Sequence, residues 1–356
     1  MQFGVFSISD LTRDPVTGVV PGDTERIASV QRIAVTAEEL GFDVFALGEH
    51  HTTGFVSSSP AVLLASIAAQ TNRISLSTAV TVITINDPVR MSEEYALLQH
   101  LCQGRLDVVV GRGDALPVCL GNGDDSPVGV DLALENYHLL HLLWMEEKVD
   151  WAGTFRAPLM DFTSTPRPYD GAPPFVWHSA ARSEMYADQA AFYGDGFFVG
   201  TYTAPLGYGA DFVDLYRRRF EEYGHGRPEQ AIVGLGSQVF VSRNSQDALE
   251  QFRPYAQASP LFRGMTLEQA MADTSLAVGS PQQVAEKILS FREIYGDYQR
   301  QMFWIDQLGL PLNTVMDQLE ILGCEVLPAL RAEFDMLRPL DVPSDPPTHI
   351  RHMCPA

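Results

Sequence analysis

The sequence has few basic residues and no long apolar run. Its 356 residues include 24 lysines and arginines against 45 aspartates and glutamates, which gives a net charge of −21. A surface this acidic repels phosphate backbones and anionic lipid headgroups, so nucleic acid and membrane surfaces are poor candidates for partners. No apolar run reaches the roughly 18 residues that a membrane-spanning helix needs.

Cysteine is also scarce. The four cysteines are scattered and form no CxxC pair: Cys102, Cys119, Cys324 and Cys354. This spacing argues against a zinc knuckle or a disulfide scaffold and fits a reducing compartment. The first residues, Met1 to Phe6, carry no basic stretch and are typical of a strand rather than of a signal peptide. We therefore expect a cytoplasmic protein.

A dinucleotide-binding motif is missing as well. No GxGxxG follows the first predicted strand, where the sequence instead has Ile8 to Leu11. What the chain does contain is a regular alternation of short apolar runs and helical segments, about eight of each. Strands buried on both faces and alternating with helices form parallel sheets. Eight such units favour an α/β fold of the closed (β/α)8 type, a TIM barrel, over an open doubly wound sheet.

The predicted domain organisation follows from this alternation. Residues 1–338 are predicted to form one barrel, and residues 339–356 a Pro-rich C-terminal tail. The segment 258–278 shows no clear periodicity and is too long for an ordinary connection, so we predict that it is irregular and acts as a mobile lid.

The second predicted strand ends in "GEHH", Gly48 to His51. In a barrel, functional residues lie at the carboxyl ends of the strands. Neighbouring residues of a strand point to opposite sides, so His50 and His51 cannot easily reach one ion, and no second ligand cluster accompanies them. We predict no metal site. An acid/base or hydrogen-bonding role at the barrel mouth suits a histidine better, and a purely structural histidine is the alternative.

Two further strand ends are candidates for anion binding. Arg112 lies between two glycines after the fourth strand, and its guanidinium offers five donors to a phosphate or carboxylate. The segment from Ser179 to Ser183 joins the fifth strand to a helix, and helix N-termini bind phosphate. The alternatives are an arginine paired with an acidic loop and a plain serine N-cap.

Taken together, these motifs resemble the bacterial luciferase-like family of flavin-dependent monooxygenases, in its non-luminescent oxidoreductase branch. The segments that carry the resemblance are "GEHH" at 48–51, "STAVTVITINDPVR" at 77–90, "GRLDVVVGRG" at 104–113 and "GAPPFVWHSAARS" at 171–183. The resemblance implies a TIM barrel that binds reduced FMN non-covalently. It also implies a homodimer formed through the helices near 60–70 and 87–101.

The resemblance assigns roles to particular residues. His50 matches the catalytic histidine, and a non-prolyl cis peptide that supports the flavin ring matches Ala79–Val80. The matches to the phosphate-binding residues are Arg112, Ser179, Ala180 and Ser183, with Arg182 as a weaker candidate. Two departures from luciferases proper are Gly111, where those enzymes have a reactive cysteine, and Ser179, where they have a glutamate. Light emission is therefore not expected.

The resemblance implies a two-component monooxygenase. Reduced FMN and O2 would oxygenate a small organic substrate by hydroxylation or Baeyer–Villiger chemistry. Because the chain has no dinucleotide motif, a separate NAD(P)H:flavin reductase would supply the reduced flavin. The alternatives are a hydride-transfer enzyme that uses a deazaflavin and a non-catalytic flavin-binding protein.

Overall fold

The computed structural model describes residues 1–113, 127–179, 183–202 and 204–347. Within these residues, eight parallel strands pair edge to edge around a full circle. They are β1 (Gln2–Ser7), β2 (Val44–Leu47), β3 (Ser75–Thr78), β5 (Leu106–Gly111), β8 (Phe175–Ser179), β9 (Gly196–Val199), β10 (Val233–Val241) and β12 (Arg300–Asp306). β1 pairs with both β2 and β12, and β10 pairs with both β9 and β12, which closes the barrel. The predicted (β/α)8 barrel is confirmed.

Helices surround the barrel and follow most of its strands. They are α1 (Asp23–Glu39), α2 (Pro60–Ala68), α3 (Pro88–Leu101), α4 (Pro127–Met145), α5 (Glu184–Tyr193), α6 (Ala210–Glu222), α7 (Ser245–Ala258), α8 (Leu267–Asp273), α9 (Pro281–Tyr295), α10 (Leu312–Ile321) and α11 (Leu327–Leu337). Typical local signals set their ends, as where the Asp87 side chain accepts the N–H groups of Val89 and Arg90 to cap α3. In the described parts of the chain, no helix combines the length and apolar character needed to cross a membrane.

The remaining strands are short additions to this plan: β4 (Thr81–Val82), β6 (Val149–Trp151), β7 (Leu159–Phe162) and β11 (Ala277–Gly279). The sequence pattern predicts a single strand over 74–82, but the structure divides it into β3 and β4. The break falls at Ala79–Val80, where the peptide bond is cis. β4 then continues beside β5.

Alternation along the strands separates an inner core from an outer one. In β2, Val44 and Ala46 pack inside the barrel, while Phe45 and Leu47 pack outward against the helices. The inner core is mainly large side chains, including Trp177, Phe198, Met302 and Trp304.

The segment 258–278 contains regular secondary structure, so the prediction that it is irregular is wrong. After α7 it contains a 3₁₀ turn at Pro260–Phe262, the helix α8 and the strand β11, which pairs with β10. Its apolar residues Phe262, Leu267 and Ala270 are buried. The sequence pattern is obscured because each element spans only a few residues. Its role as a lid stays a prediction.

The amino-terminal end of the barrel is closed. Inside it, Arg300 forms a bidentate ion pair with Asp107 at 2.5 and 3.0 Å and lies over the Trp177 ring, 4.5 Å from its centroid. The tail crosses this end, where Pro346 and Pro347 line a cavity of only about 10 Å³ with Arg300. A ligand of any size must therefore enter at the opposite end, where the strands terminate.

Candidate functional site

Glu49 connects the strand ends on one side of the mouth. Its side chain is buried, 6% exposed. Oε2 accepts a hydrogen bond from the backbone N–H of Val82 at 2.8 Å, and Oε1 accepts one from Asn86 Nδ2 at 2.9 Å. Oε1 also lies 2.8 Å from His51 Nε2. Glu49 and His51 therefore form part of the wall that holds the segment after Ala79–Val80.

His50 lies on the other side of the backbone. The resemblance to luciferase-like proteins implies that it faces inward, as Val44 and Ala46 of β2 do. Its ring is half-buried and stacks on Phe55, with 4.2 Å between ring centroids. A methyl group added at Gly48 would lie 3.3 Å from His50 Nε2 and 3.5 Å from the carbonyl oxygen of Ala79. The imidazole and the Ala79 carbonyl oxygen therefore both border the space next to Gly48.

Ala79 and Val80 border the mouth and pack against the inner core of the barrel. The peptide bond between them is cis, as the resemblance implies. Val80 also explains the glycine at position 111. A methyl group at Gly111 would lie 3.0 Å from Val80 Cγ2, which is tighter than ordinary van der Waals contact. Val80 thus takes the space that a cysteine at position 111 would need.

Arg112 leaves β5 beside this peptide. Its backbone carbonyl accepts a hydrogen bond from Thr84 Oγ1 at 2.9 Å, which fixes the turn. The side chain is half-buried, and within the described residues no carboxylate forms an ion pair with it. The alternative of an arginine paired with an acidic loop stays open, because the acidic residues that follow it in the chain, at 114, 124 and 125, lie outside the described residues.

Tyr186 is a neighbour of Arg112 that the sequence analysis missed. It lies in the first turn of α5 and is 7% exposed. Burial raises the pKa of its hydroxyl to about 12, and the positive charge of Arg112 partly opposes this shift. Within the described residues, the Tyr186 hydroxyl is buried without a hydrogen-bond partner. Its position three residues after the capping serine is the signal that could have identified it.

The start of α5 supplies the remaining groups. Ser179 ends β8 with the same alternation as Trp177, so it faces the mouth, and it is half-buried. Ser183 caps α5, its hydroxyl accepting the N–H of Met185 at 3.3 Å. The predicted site residues Ala180 and Arg182 lie outside the described residues. An N-cap is compatible with anion binding, because the other N–H groups of the first turn stay available.

These groups have the chemistry that a phosphate needs. Arg112 follows Gly111, whose Cβ position lies against Val80, and its charge reaches the unpartnered Tyr186 hydroxyl in the first turn of α5, the helix that Ser183 caps. An anion there would give the Tyr186 hydroxyl the partner that it lacks. In the described part of the chain, no group of three or more His, Cys, Asp or Glu side chains could hold a metal ion.

Comparison with known proteins assigns the family. The family model described as luciferase-like monooxygenase matches residues 1–298. The chain belongs to this family. Among curated relatives, an F420-dependent glucose-6-phosphate dehydrogenase from Kribbella flavida is 30% identical over 235 residues, 64% of this chain and 69% of that protein. Three uncharacterised relatives from Sinorhizobium fredii and Bacillus subtilis are matched over 65% to 83% of their length.

Solved structures share the fold over nearly the whole chain. The monooxygenase RslO1 from Streptomyces bottropensis superposes with a TM-score of 0.77 at 24% identity, covering 92% of this chain and 99% of that one. The oxygenating constituent of 3,6-diketocamphane monooxygenase from Pseudomonas putida, in complex with FMN, has a TM-score of 0.76 at 17% identity. The match covers 92% of this chain and 98% of that one. At these identities the likeness shows the barrel and leaves the substrate open.

Proposed function

We propose that this protein is a flavin-dependent monooxygenase that uses reduced FMN and O2 to oxygenate a small organic substrate by hydroxylation or Baeyer–Villiger chemistry. The observation that carries the proposal is the anion site formed by Arg112, Tyr186 and the start of α5. It lies beside Ala79–Val80, where the family resemblance expects the flavin ring.

Different residues of the site have different roles in this proposal. Arg112, Ser179, Ser183 and Tyr186 hold the phosphate, while Ala79–Val80 supports the ring. Reduced FMN, when bound, supplies the two electrons that activate O2. His50, whose ring and the Ala79 carbonyl both border Gly48, holds or moves a proton at Nε2. The closed barrel base and apolar inner core keep water away from the reacting groups.

Two partners belong to this proposal. A separate NAD(P)H:flavin reductase supplies reduced FMN, since the chain has no dinucleotide motif. A second copy of the chain covers the outer faces of α2 and α3. Three apolar side chains are exposed there: Val62 at 70%, Leu97 at 52% and Leu101 at 56%. Apolar side chains exposed together in this way mark surfaces that bind other proteins.

The second candidate is hydride transfer with the deazaflavin F420, which the Kribbella flavida relative favours. A deazaflavin of this kind carries a long polyanionic tail, which would need several basic side chains at the mouth. The chain has 24 basic against 45 acidic residues, and this composition favours FMN. A non-catalytic flavin-binding protein is the third alternative, and the position of His50 next to the ring support favours an enzyme.

An anaerobic titration separates these candidates. Purified protein is titrated with photoreduced FMN and, separately, with reduced F420, and binding is followed by flavin fluorescence. The proposal expects micromolar or tighter binding of FMN and weaker binding of F420. Admission of O2 to the FMN complex should then oxidise the flavin. Tight binding of F420 without binding of FMN would replace the proposal by hydride transfer. Binding of FMN without any reaction toward O2 or substrate would leave a flavin-binding protein.

A further inference from the structure

A glutamine faces the inside of the barrel just below the mouth. β10 turns Gly234 and Gly236 inward, because side chains added there would meet Phe198 and Tyr202 of the barrel interior. Gln238 follows on the same side of the strand. It is paired in register with Trp304 of β12, which in turn is paired with Phe6 of β1. Phe6, Trp304 and Gln238 therefore form one layer across three adjacent strands.

Tyr202 completes this layer from the loop after β9. Its ring stacks on Phe6 with 4.9 Å between centroids and meets Trp304 edge to face at 6.0 Å. The end of its phenol lies over Gly236, where any side chain would collide with it. The Tyr202 hydroxyl thus reaches β10 two residues before Gln238. Its ring also packs in the same cluster as Ala79 and Val80, on which the flavin ring is expected to rest.

The polar atoms of this layer have no partners. Gln238 is 0% exposed, and within the described residues neither its amide oxygen nor its amide nitrogen makes a hydrogen bond. The Tyr202 hydroxyl is likewise buried and unpartnered among those residues. The neighbouring indole differs, since Trp304 Nε1 donates to the carbonyl oxygen of Asp306 at 3.1 Å. Buried polar groups nearly always find partners, so two exceptions on neighbouring positions need an explanation.

Gln238 and Tyr202 can act as two hydrogen-bond donors next to the aromatic side chains of Phe6 and Trp304. The Gln238 amide nitrogen carries two N–H groups. Burial raises the pKa of Tyr202 far above its usual value, so its hydroxyl stays protonated and can donate. A carbonyl oxygen accepts two hydrogen bonds and brings no proton of its own. Phe6 and Trp304 form the apolar wall of the same layer, 5% and 7% exposed beneath the Tyr202 ring.

We propose that Gln238 and Tyr202 form the substrate-recognition site of this enzyme and bind the carbonyl oxygen of a compact aromatic or alicyclic ketone or aldehyde against Phe6 and Trp304. This inference rests on the proposed function for its catalytic meaning. The binding itself does not depend on which flavin is used. A carbonyl oxygen would give a partner to the Gln238 amide nitrogen and to the Tyr202 hydroxyl, which the flavin site leaves unpartnered.

Matched ligands test the inference. The probes are acetophenone and ethylbenzene, which share a ring and differ in the carbonyl group. Binding to the wild-type protein and to two variants, Gln238→Leu and Tyr202→Phe, is measured by calorimetry with and without FMN. Each variant should weaken acetophenone binding by about tenfold while ethylbenzene binding stays the same, since one hydrogen bond to a buried group is lost. Gln282→Leu, on the exposed side of α9, is the matched control and should change neither.

The outcomes separate this inference from the proposed function. Unchanged acetophenone binding in both variants, or no measurable acetophenone binding to the wild type, overturns the inference. If FMN fails to bind but the variants still lose acetophenone selectively, the recognition site stands and the flavin assignment fails. Tyr202→Phe removes a single oxygen atom, so it keeps the test decisive if Gln238→Leu does not fold.

Discussion

Glu49 Oε2 accepts the backbone N–H of Val82 at 2.8 Å, which ties the end of β2 to the strand that follows Ala79–Val80. The other carboxylate oxygen accepts Asn86 Nδ2 at 2.9 Å. One buried carboxylate thus joins two neighbouring strand ends. Under the proposed function, Glu49 positions Ala79–Val80 and the wall near His50 and takes no part in the reaction itself.

Replacing Glu49 with glutamine should loosen this connection. An amide NH2 group would face the N–H of Val82 or the NH2 of Asn86, so at least one buried donor would lose its acceptor. We expect a loss of about 1–3 kcal/mol in the free energy of unfolding, together with weaker FMN binding. Urea unfolding and FMN titration measure the two effects. Glu39→Gln, exposed on α1, is the control. Equal unfolding midpoints for Glu49→Gln and the wild type would contradict this role.

The contact between Gly111 and Val80 predicts a specific rescue. Gly111→Cys should displace Val80 and weaken FMN binding, because a Cβ at position 111 would lie 3.0 Å from Val80 Cγ2. Adding Val80→Ala removes the clashing methyl groups and should restore part of the lost affinity. The four proteins form a double-mutant cycle measured by FMN titration. Strictly additive effects would show that the two side chains do not compete for this space.

The two histidines should differ in function. His50→Ala should retain FMN affinity within a few-fold and lose about 10²-fold or more in the rate of substrate oxygenation, as expected for removal of an acid/base group. His51→Ala should keep most of the activity, since His51 contacts Glu49 at 2.8 Å. Equal rates in both variants would remove His50 from the mechanism.

The sequence predicts the parts of this protein that depend on period and order. Eight alternations of strand and helix are enough for the barrel, and the strand ends identify His50, Arg112 and Ser179 as mouth residues. The sequence does not predict features of the fold that depend on individual contacts or on very short elements. The division of 74–82 into β3 and β4 depends on the backbone at Ala79–Val80, and the predicted irregular segment 258–278 contains elements too short to show a period.

Other site residues can be identified only from their contacts in the folded structure. Tyr186 looks like any core aromatic of a helix until its hydroxyl is found buried next to Arg112 without a partner. Gln238 is one polar residue in an otherwise apolar strand. Its place in the proposed recognition site becomes visible only from the structure, which pairs Gln238 with Trp304 and places Tyr202 over Gly236. Neighbours in space, and not neighbours in sequence, define these positions.

The proposed dimer has a direct test. Leu97 is 52% exposed on α3, and a charge there should be incompatible with a buried apolar interface. We expect the wild type to be a dimer in light scattering after size-exclusion chromatography, and Leu97→Glu to be a monomer at the same concentration. Val16→Glu, on the exposed loop after β1, should remain dimeric. A monomeric wild type would show that α2 and α3 do not form such an interface.

The central claim is that the mouth binds FMN through its phosphate at Arg112 and the start of α5. Its most direct test compares FMN with riboflavin, which lacks the phosphate, in the wild type and in Arg112→Ala. The account predicts that the wild type prefers FMN by at least about tenfold, because charge-assisted hydrogen bonds to phosphate are strong. It further predicts that Arg112→Ala loses most of this preference while riboflavin binding is unchanged. Arg253→Ala, which breaks an exposed ion pair with Glu268, should keep the preference. Equal affinities for FMN and riboflavin in the wild type, or an unchanged preference in Arg112→Ala, would contradict the account.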